Sequence, residues 1–182
     1  MNIEKSTYGN IDYKIIHNPR ETKFSLYCFP GCFQGGWVDG IAVEFPSFGW
    51  CGSFASGDIS PNGVTGVYGY PELGKLLVIS KGQGFIVDPQ APNNTVELKE
   101  QPILGVISNE NNNLLVIYDF VRFTAYGHNG REWKTEALSF DGIKIKEVSE
   151  SFVVGYAWSA PEKNWVEFTL NIKTGEYKGG AR

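Results

Sequence analysis

The chain is poor in the residues on which most catalytic and metal chemistry depends: it has two histidines, three cysteines and one methionine in 182 residues. With His17 and His128 as the only imidazoles, acid–base schemes centred on histidine are sharply limited. No G-x-S-x-G nucleophile elbow is present, because "GSFASG" at 52–57 has the wrong spacing. "SKGQG" at 80–84 lacks the third glycine and the following helix of a dinucleotide site, and no P-loop occurs. Asp58, Asp88, Asp119, Asp141 and Glu167 sit near strand ends, where two carboxylates that met would suit glycosidic chemistry. Solvated turn carboxylates are the commoner explanation, so the reading leans away from an enzyme and expects no catalytic residue and no cofactor.

Cys28, Cys32 and Cys51 cannot all pair within one chain, and an odd count suits a reducing compartment. The C-x3-C of "CFPGC", with Cys51 and His17, offers four soft ligands on paper. It lacks the two-residue knuckle spacing and the second clear pair of structural zinc sites. We expect free thiols that pack as small hydrophobes, and no metal.

Long apolar runs are absent too. No window approaches 18 consecutive apolar residues, and the N-terminus has no apolar core of a secretory signal. The expectation is a cytoplasmic protein without a membrane partner. The 16 lysines and arginines are scattered against 20 acids, for a net charge of -4, so no basic stripe exists to neutralise phosphates and no nucleic-acid partner is expected.

What the chain does have is glycine, at 22 of 182 residues, and an aromatic content of 14%. Glycine at roughly 12%, against a typical ~7%, points to many tight turns. Apolar residues alternate over short runs such as "KFSLYCF", "GIAVEF", "RFTAYG" and "WVEFTLNI", and helical windows are scarce. Asp39-Gly40, Asn62-Gly63, Asn129-Gly130, Asp141-Gly142 and "KTGE" at 173–176 supply hairpin candidates between the runs. No linker divides the chain, so residues 1–182 read as a single all-β domain.

A rhythm runs through that domain. "KLLVIS" at 75–80 returns as "NLLVIY" at 113–118, and the offset of 38 positions holds from Leu76 to Leu114 (114 − 76) and from Phe85 to Phe123 (123 − 85). The same step reaches Phe152, where "FVVGY" aligns with "LLVIY". Four strand-like runs per step, "LLVIS", "GFIVDP", "TVELK" and "ILGVIS" in the first, match the size of a propeller blade. The last copy runs short of chain after "WVEFTLNI". The fold expected is therefore a small β-propeller of about four blades, closed by pairing of N- and C-terminal strands. An antiparallel β-sandwich or barrel shows the same strand spacing and is the alternative.

Aromatics are the remaining signal. "FPSFGWCGSF" at 45–54 packs four rings into ten residues, and Trp37, Trp158 and Trp165 add others. Most such rings fill cores, and the exposed remainder can anchor a protein or stack on a sugar. Trp50, Trp133, His128 and Trp158 are the candidate binding residues. The function expected is a non-catalytic module that binds another protein through its loops, with an inhibitor or immunity-type protein as one form. A carbohydrate-binding β domain is the alternative, with "VDPQAPNNT" and "YGHNGREW" as the places for sugar contacts.

Overall fold

The computed structural model describes residues 11–31, 33–57 and 62–182, together with the backbone of a short strand at 4–5. Among the described residues eighteen strands follow one another: β1 (Glu4–Lys5), β2 (Asp12–Ile16), β3 (Ser25–Phe29), β4 (Phe33–Gln34), β5 (Gly40–Phe45), β6 (Trp50–Ala55), β7 (Gly66–Gly69), β8 (Leu76–Ser80) and β9 (Gln83–Val87) come first. β10 (Val96–Glu97), β11 (Gly105–Asn109), β12 (Leu114–Tyr118), β13 (Phe123–Gly127), β14 (Gly130–Lys134), β15 (Ile143–Val148), β16 (Phe152–Ser159), β17 (Asn164–Asn171) and β18 (Tyr177–Gly179) complete the chain. The protein is all-β. Among the described residues the helical segments are three single 3-10 turns, Pro19–Glu21, Pro46–Phe48 and Pro92–Asn94, each opened by the proline whose fixed φ suits a first helical position. None of the helices is long and apolar enough to cross a membrane.

The strands form four sheets. The first has the order β1-β2-β5-β6-β3-β4, antiparallel throughout except where β3 runs parallel to β6. The other three are antiparallel meanders of four consecutive strands, β7 to β10, β11 to β14 and β15 to β18. Leu76, Leu114 and Phe152, the residues spaced 38 apart, each open the second strand of a meander. The grouping of strands differs by one from the sequence expectation. "ILGVIS" opens the third sheet instead of closing the second, because Gly105 to Asn109 pair with Tyr118 to Leu114 across the "ENNN" turn. "IKIKEV" likewise opens the fourth sheet against β16.

That shift removes the need for closure by mixed termini. "EYKGG" supplies β18, whose Tyr177 to Gly179 pair with Leu170 to Phe168, so the fourth sheet is complete from its own segment. The N-terminal runs β2 and β3 pair within the first sheet. Of the expected hairpin turns, "HNG" joins β13 to β14 and "KTGE" joins β17 to β18, whereas Asp39-Gly40, Asn62-Gly63 and Asp141-Gly142 lead into single strands from longer connections.

The chain divides into two compact units, 1–103 and 104–182. In the first, two sheets share a core of Tyr13, Phe29, Val43, Phe45, Trp50, Phe54, Leu76, Val78, Phe85 and Val87. Phe29 stacks on Phe54 at 5.0 Å between ring centres, and Phe54 meets Phe85 of the next sheet at 5.4 Å. In the second unit the third and fourth sheets share Val116, Phe123, Ala125, Leu138, Val153, Ala157, Phe168 and Leu170, with Phe123 and Phe168 in contact at 5.6 Å. One bond recurs in both units. The indole of Trp50 donates to the Pro89 carbonyl at 2.7 Å, and that of Trp133 donates to the Ile172 carbonyl at 3.1 Å, each tying one sheet to the segment just after the third strand of the next.

Candidate functional site

The second strands of the meanders differ in how their two faces are covered. All five residues of β8 are buried, and so are Leu114 to Ile117 of β12, which is why both read as unbroken apolar runs. β16 alternates instead, with Val153, Gly155, Ala157 and Ser159 buried and Phe152, Val154, Tyr156 and Trp158 facing outward. The usual size order is thereby inverted: the inward positions carry small residues and the outward ones three rings. Gly155 is small for a reason, since a Cβ there would press on the Lys144 backbone carbonyl and lie 2.8 Å from the Phe168 ring of the core.

Register places neighbours beside each outward ring. Trp158 is opposite Trp165, Tyr156 opposite Glu167, Val154 opposite Thr169 and Phe152 opposite Asn171 on β17, while Lys144 of β15 lies opposite Tyr156. The two indoles meet at 5.4 Å and 60°. Lys144 Nζ sits 3.9 Å from the Trp165 ring centre, a cation–π contact that holds the ammonium over the ring. A register shift between Ile145 and Glu147 accompanies Lys146, whose Nζ lies 3.2 Å from Glu167 Oε1 and 5.8 Å from the Tyr156 ring. The hydrogen bond to Glu167, helped by the charge of Glu167 and the Tyr156 side chain, raises the Lys146 pKa above the ordinary lysine value. Both partners are about half exposed, at 52% and 56%, so the pair adds little stability.

This outward face of the fourth sheet is the candidate site. It is broad, built on paired strands and mixed in character. Phe152, at one end, is 44% exposed. A cavity of about 630 Å³ opens beside it, lined by Phe152, Thr169, Asn171, Glu176, Tyr177 and Lys178.

Of the four binding residues expected from sequence, Trp158 lies on this face. Trp50 does not: it is 4% exposed, packed against Phe45 at 4.4 Å and Tyr27 at 5.9 Å, and has no surface to offer a partner. Trp133 also turns inward, its ring against Gly175 and the second core. His128 is exposed at the β13–β14 turn, beside a separate 330 Å³ depression with Asn112, Glu132 and Lys173. Trp165 reaches the face from β17, opposite Trp158, and Phe152 and Tyr156 share it with Trp158 on β16. The sequence signal for Phe152 and Tyr156 is the smaller residue at every second position of "FVVGYAWS".

Two of the carboxylates weighed for chemistry build turns. Asp119 Oδ1 accepts from the Val121 and Arg122 amides at 2.7 and 2.9 Å, and Asp88 Oδ1 accepts from Gln90 N at 2.9 Å. Asp141 is exposed in the connection to β15, Glu167 serves the face above, and Asp58 lies outside the described residues. Among the four soft ligands, Cys32 lies outside the described residues as well. Cys28 and Cys51 are free and buried, and His17 is exposed. Burial first, then the neighbouring Glu44 carboxylate, pushes the Cys51 thiol up to about 12, which keeps it protonated and unreactive. No group of three or more histidine, cysteine, aspartate or glutamate side chains suited to a metal occurs among the described residues.

Comparison with protein-family models, with curated proteins and with solved structures finds no match to this chain.

Proposed function

We propose that the chain is a non-catalytic module that binds another protein, and that it does so through the outward face of the fourth sheet more than through its loops. The observation that carries this reading is the inverted alternation of β16, which spends its small residues on the core and presents Tyr156, Trp158 and, from β17, Trp165 to the outside. Large rings at the centre of a surface flanked by Lys144, Lys146 and Glu167 have the composition of a binding hot spot with a polar rim. Strand pairing holds the rings in place before any partner arrives, which lowers the entropic cost of association. An inhibitor or immunity-type protein, acting by occlusion, is the form such a rigid face would suit.

The architecture that accompanies this reading is a small propeller. Three successive four-stranded meanders, with second strands spaced by 38 residues, support treating each sheet as a blade. The free thiols of Cys28 and Cys51 accord with a cytoplasmic setting.

The test is a photo-crosslinking residue placed at Val154 in cells that express the chain, with the 80%-exposed Leu73 as the control position. The expected result is an adduct with one protein species from position 154, lost when Tyr156→Ala and Trp158→Ala are combined in a chain that stays folded. Equal adducts from 154 and 73, or an adduct indifferent to the double variant, would reject the face as the binding surface.

A further inference from the structure

The concave end of the same sheet differs chemically from the aromatic centre. Its walls combine an exposed Phe152 ring and the half-buried Tyr177 with a hydroxyl, an amide, a carboxylate and an ammonium, from Thr169, Asn171, Glu176 and Lys178. Register brings them together: Phe152 is opposite Asn171, and Thr169 is opposite Lys178. A volume of about 630 Å³ falls within the range of small-ligand sites, roughly 300–1,000 Å³.

The polar groups are held ready. Asn171 Oδ1 accepts from Lys173 N at 2.9 Å and Thr174 N at 3.2 Å, which fixes the amide oxygen in the turn and leaves the Nδ2 hydrogens to be donated elsewhere. Thr174 Oγ1 accepts from Glu176 N at 3.2 Å and donates to Glu176 Oε2 at 3.3 Å, so the carboxylate is oriented while keeping a second oxygen for a ligand. The Thr169 side chain makes no hydrogen bond among the described residues. The groove thus offers donors (Asn171 Nδ2, Lys178 Nζ), an acceptor (Glu176) and a group that is both (Thr169), arranged around an exposed ring.

We propose that this groove binds a pyranose ring of a saccharide. A sugar presents hydroxyls that both donate and accept, matching the mixed polar set, and an apolar face of C–H groups, matching Phe152. Other ligand classes fit less well. A phosphate or other anion would meet Lys178 but be repelled by Glu176, and an apolar peptide would bury Thr169, Asn171 and Glu176 without partners, at a cost for each. The groove lies at one end of the same face and uses none of Tyr156, Trp158 and Trp165, so the two readings are tested separately.

The experiment is a titration of the full ¹⁵N-labelled chain with methyl β-glucoside, methyl β-galactoside, methyl α-mannoside and N-acetylglucosamine, followed by amide chemical shifts. Single-ring affinity is expected to be weak, with Kd on the order of 1 mM. At least one glycoside should shift amides confined to Phe152 and 169–178. Asn171→Asp keeps the turn-forming oxygen and removes the amide donor, and Thr169→Val keeps shape and removes the hydroxyl. Each should weaken binding roughly fivefold, the worth of one hydrogen bond. Leu73→Ala, at an exposed position in the first unit, should leave the affinity unchanged. The amide spectrum itself reports whether each variant is folded, and if Asn171→Asp disturbs the turn, Thr169→Val at its exposed strand position carries the test alone. Three results would overturn the proposal: no shift with any of the four glycosides, unchanged affinity in the folded variants, or shifts centred on Trp158 and Trp165.

Discussion

Replacing Trp133 separates an inward structural role from an outward binding role. Its indole donates to the Ile172 carbonyl at 3.1 Å, and its ring lies over Gly175 and against the second core. Burying an aromatic side chain removes about 200 Å² from water, worth about 5 kcal/mol at about 25 cal/mol per Å². Trp133 is only partly covered, and the unfolded chain already shields some of that area, which brings the transfer contribution down to about 3 kcal/mol. Leaving the Ile172 carbonyl without its donor adds about 1 kcal/mol. Trp133→Ala should therefore cost about 3–4 kcal/mol. Trp133→Phe, which keeps most of the ring area and loses the N–H, should cost about 1–2 kcal/mol. Against a typical total of about 5–15 kcal/mol the first loss is large. Urea unfolding of the full chain, followed by far-UV circular dichroism so that the lost fluorophore does not matter, measures both. If both variants unfold within about 1 kcal/mol of the parent, the indole is not tying the two sheets together and the inward placement is wrong.

The same tie can be probed from the other side. Gly175→Ala must hold a φ of +75 and bring a Cβ to 2.7 Å from the Trp133 ring, so a loss of about 1–3 kcal/mol is expected. A neutral effect would mean that the turn has room the structure does not show. Cys51, with its pKa pushed up to about 12, should resist iodoacetamide at pH 8 in the folded chain and react once urea is added, read by peptide mass spectrometry. Labelling at the rate of a free thiol would contradict its burial. Because the folded Lys146 pKa is raised, its link to Glu167 is fully present below the ordinary lysine value of ~10.4 and is lost as pH rises through the higher folded value. Side-chain NMR should find Lys146 titrating above that ordinary value, and Glu167→Gln should return it towards normal. Titration at or below it in the parent would remove the pair from the face.

The helix-poor, glycine-punctuated chain with period-two apolar runs was legible as all-β, because side-chain alternation is a local consequence of strand geometry. The unbroken "LLVIS" and "LLVIY" depart from that alternation because β8 and most of β12 are covered on both faces, which the structure shows. Pairing was less legible. Whether "ILGVIS" closes one sheet or opens the next depends on which neighbour it bonds, and the polar "NENNN" connection is compatible with either until the Gly105 to Tyr118 register is formed. The aromatic residues divided in the same way. From sequence alone Trp50, Trp133 and Trp158 are equivalent large rings, yet two of them find a carbonyl from the neighbouring sheet, at Pro89 and Ile172, and turn inward.

The secondary-structure class, two of the five hairpin turns, the odd thiol count, the lack of a basic stripe and the scarcity of histidine were legible along the chain itself. These are properties of single residues or of neighbours along the chain. Tertiary structure decided which strands share a sheet, which tryptophans are ties, and that the outer face of β16 carries rings above a core lined by Val153, Gly155 and Ala157. Alternation along a strand defines two faces, but only packing against a second sheet settles which of them is covered.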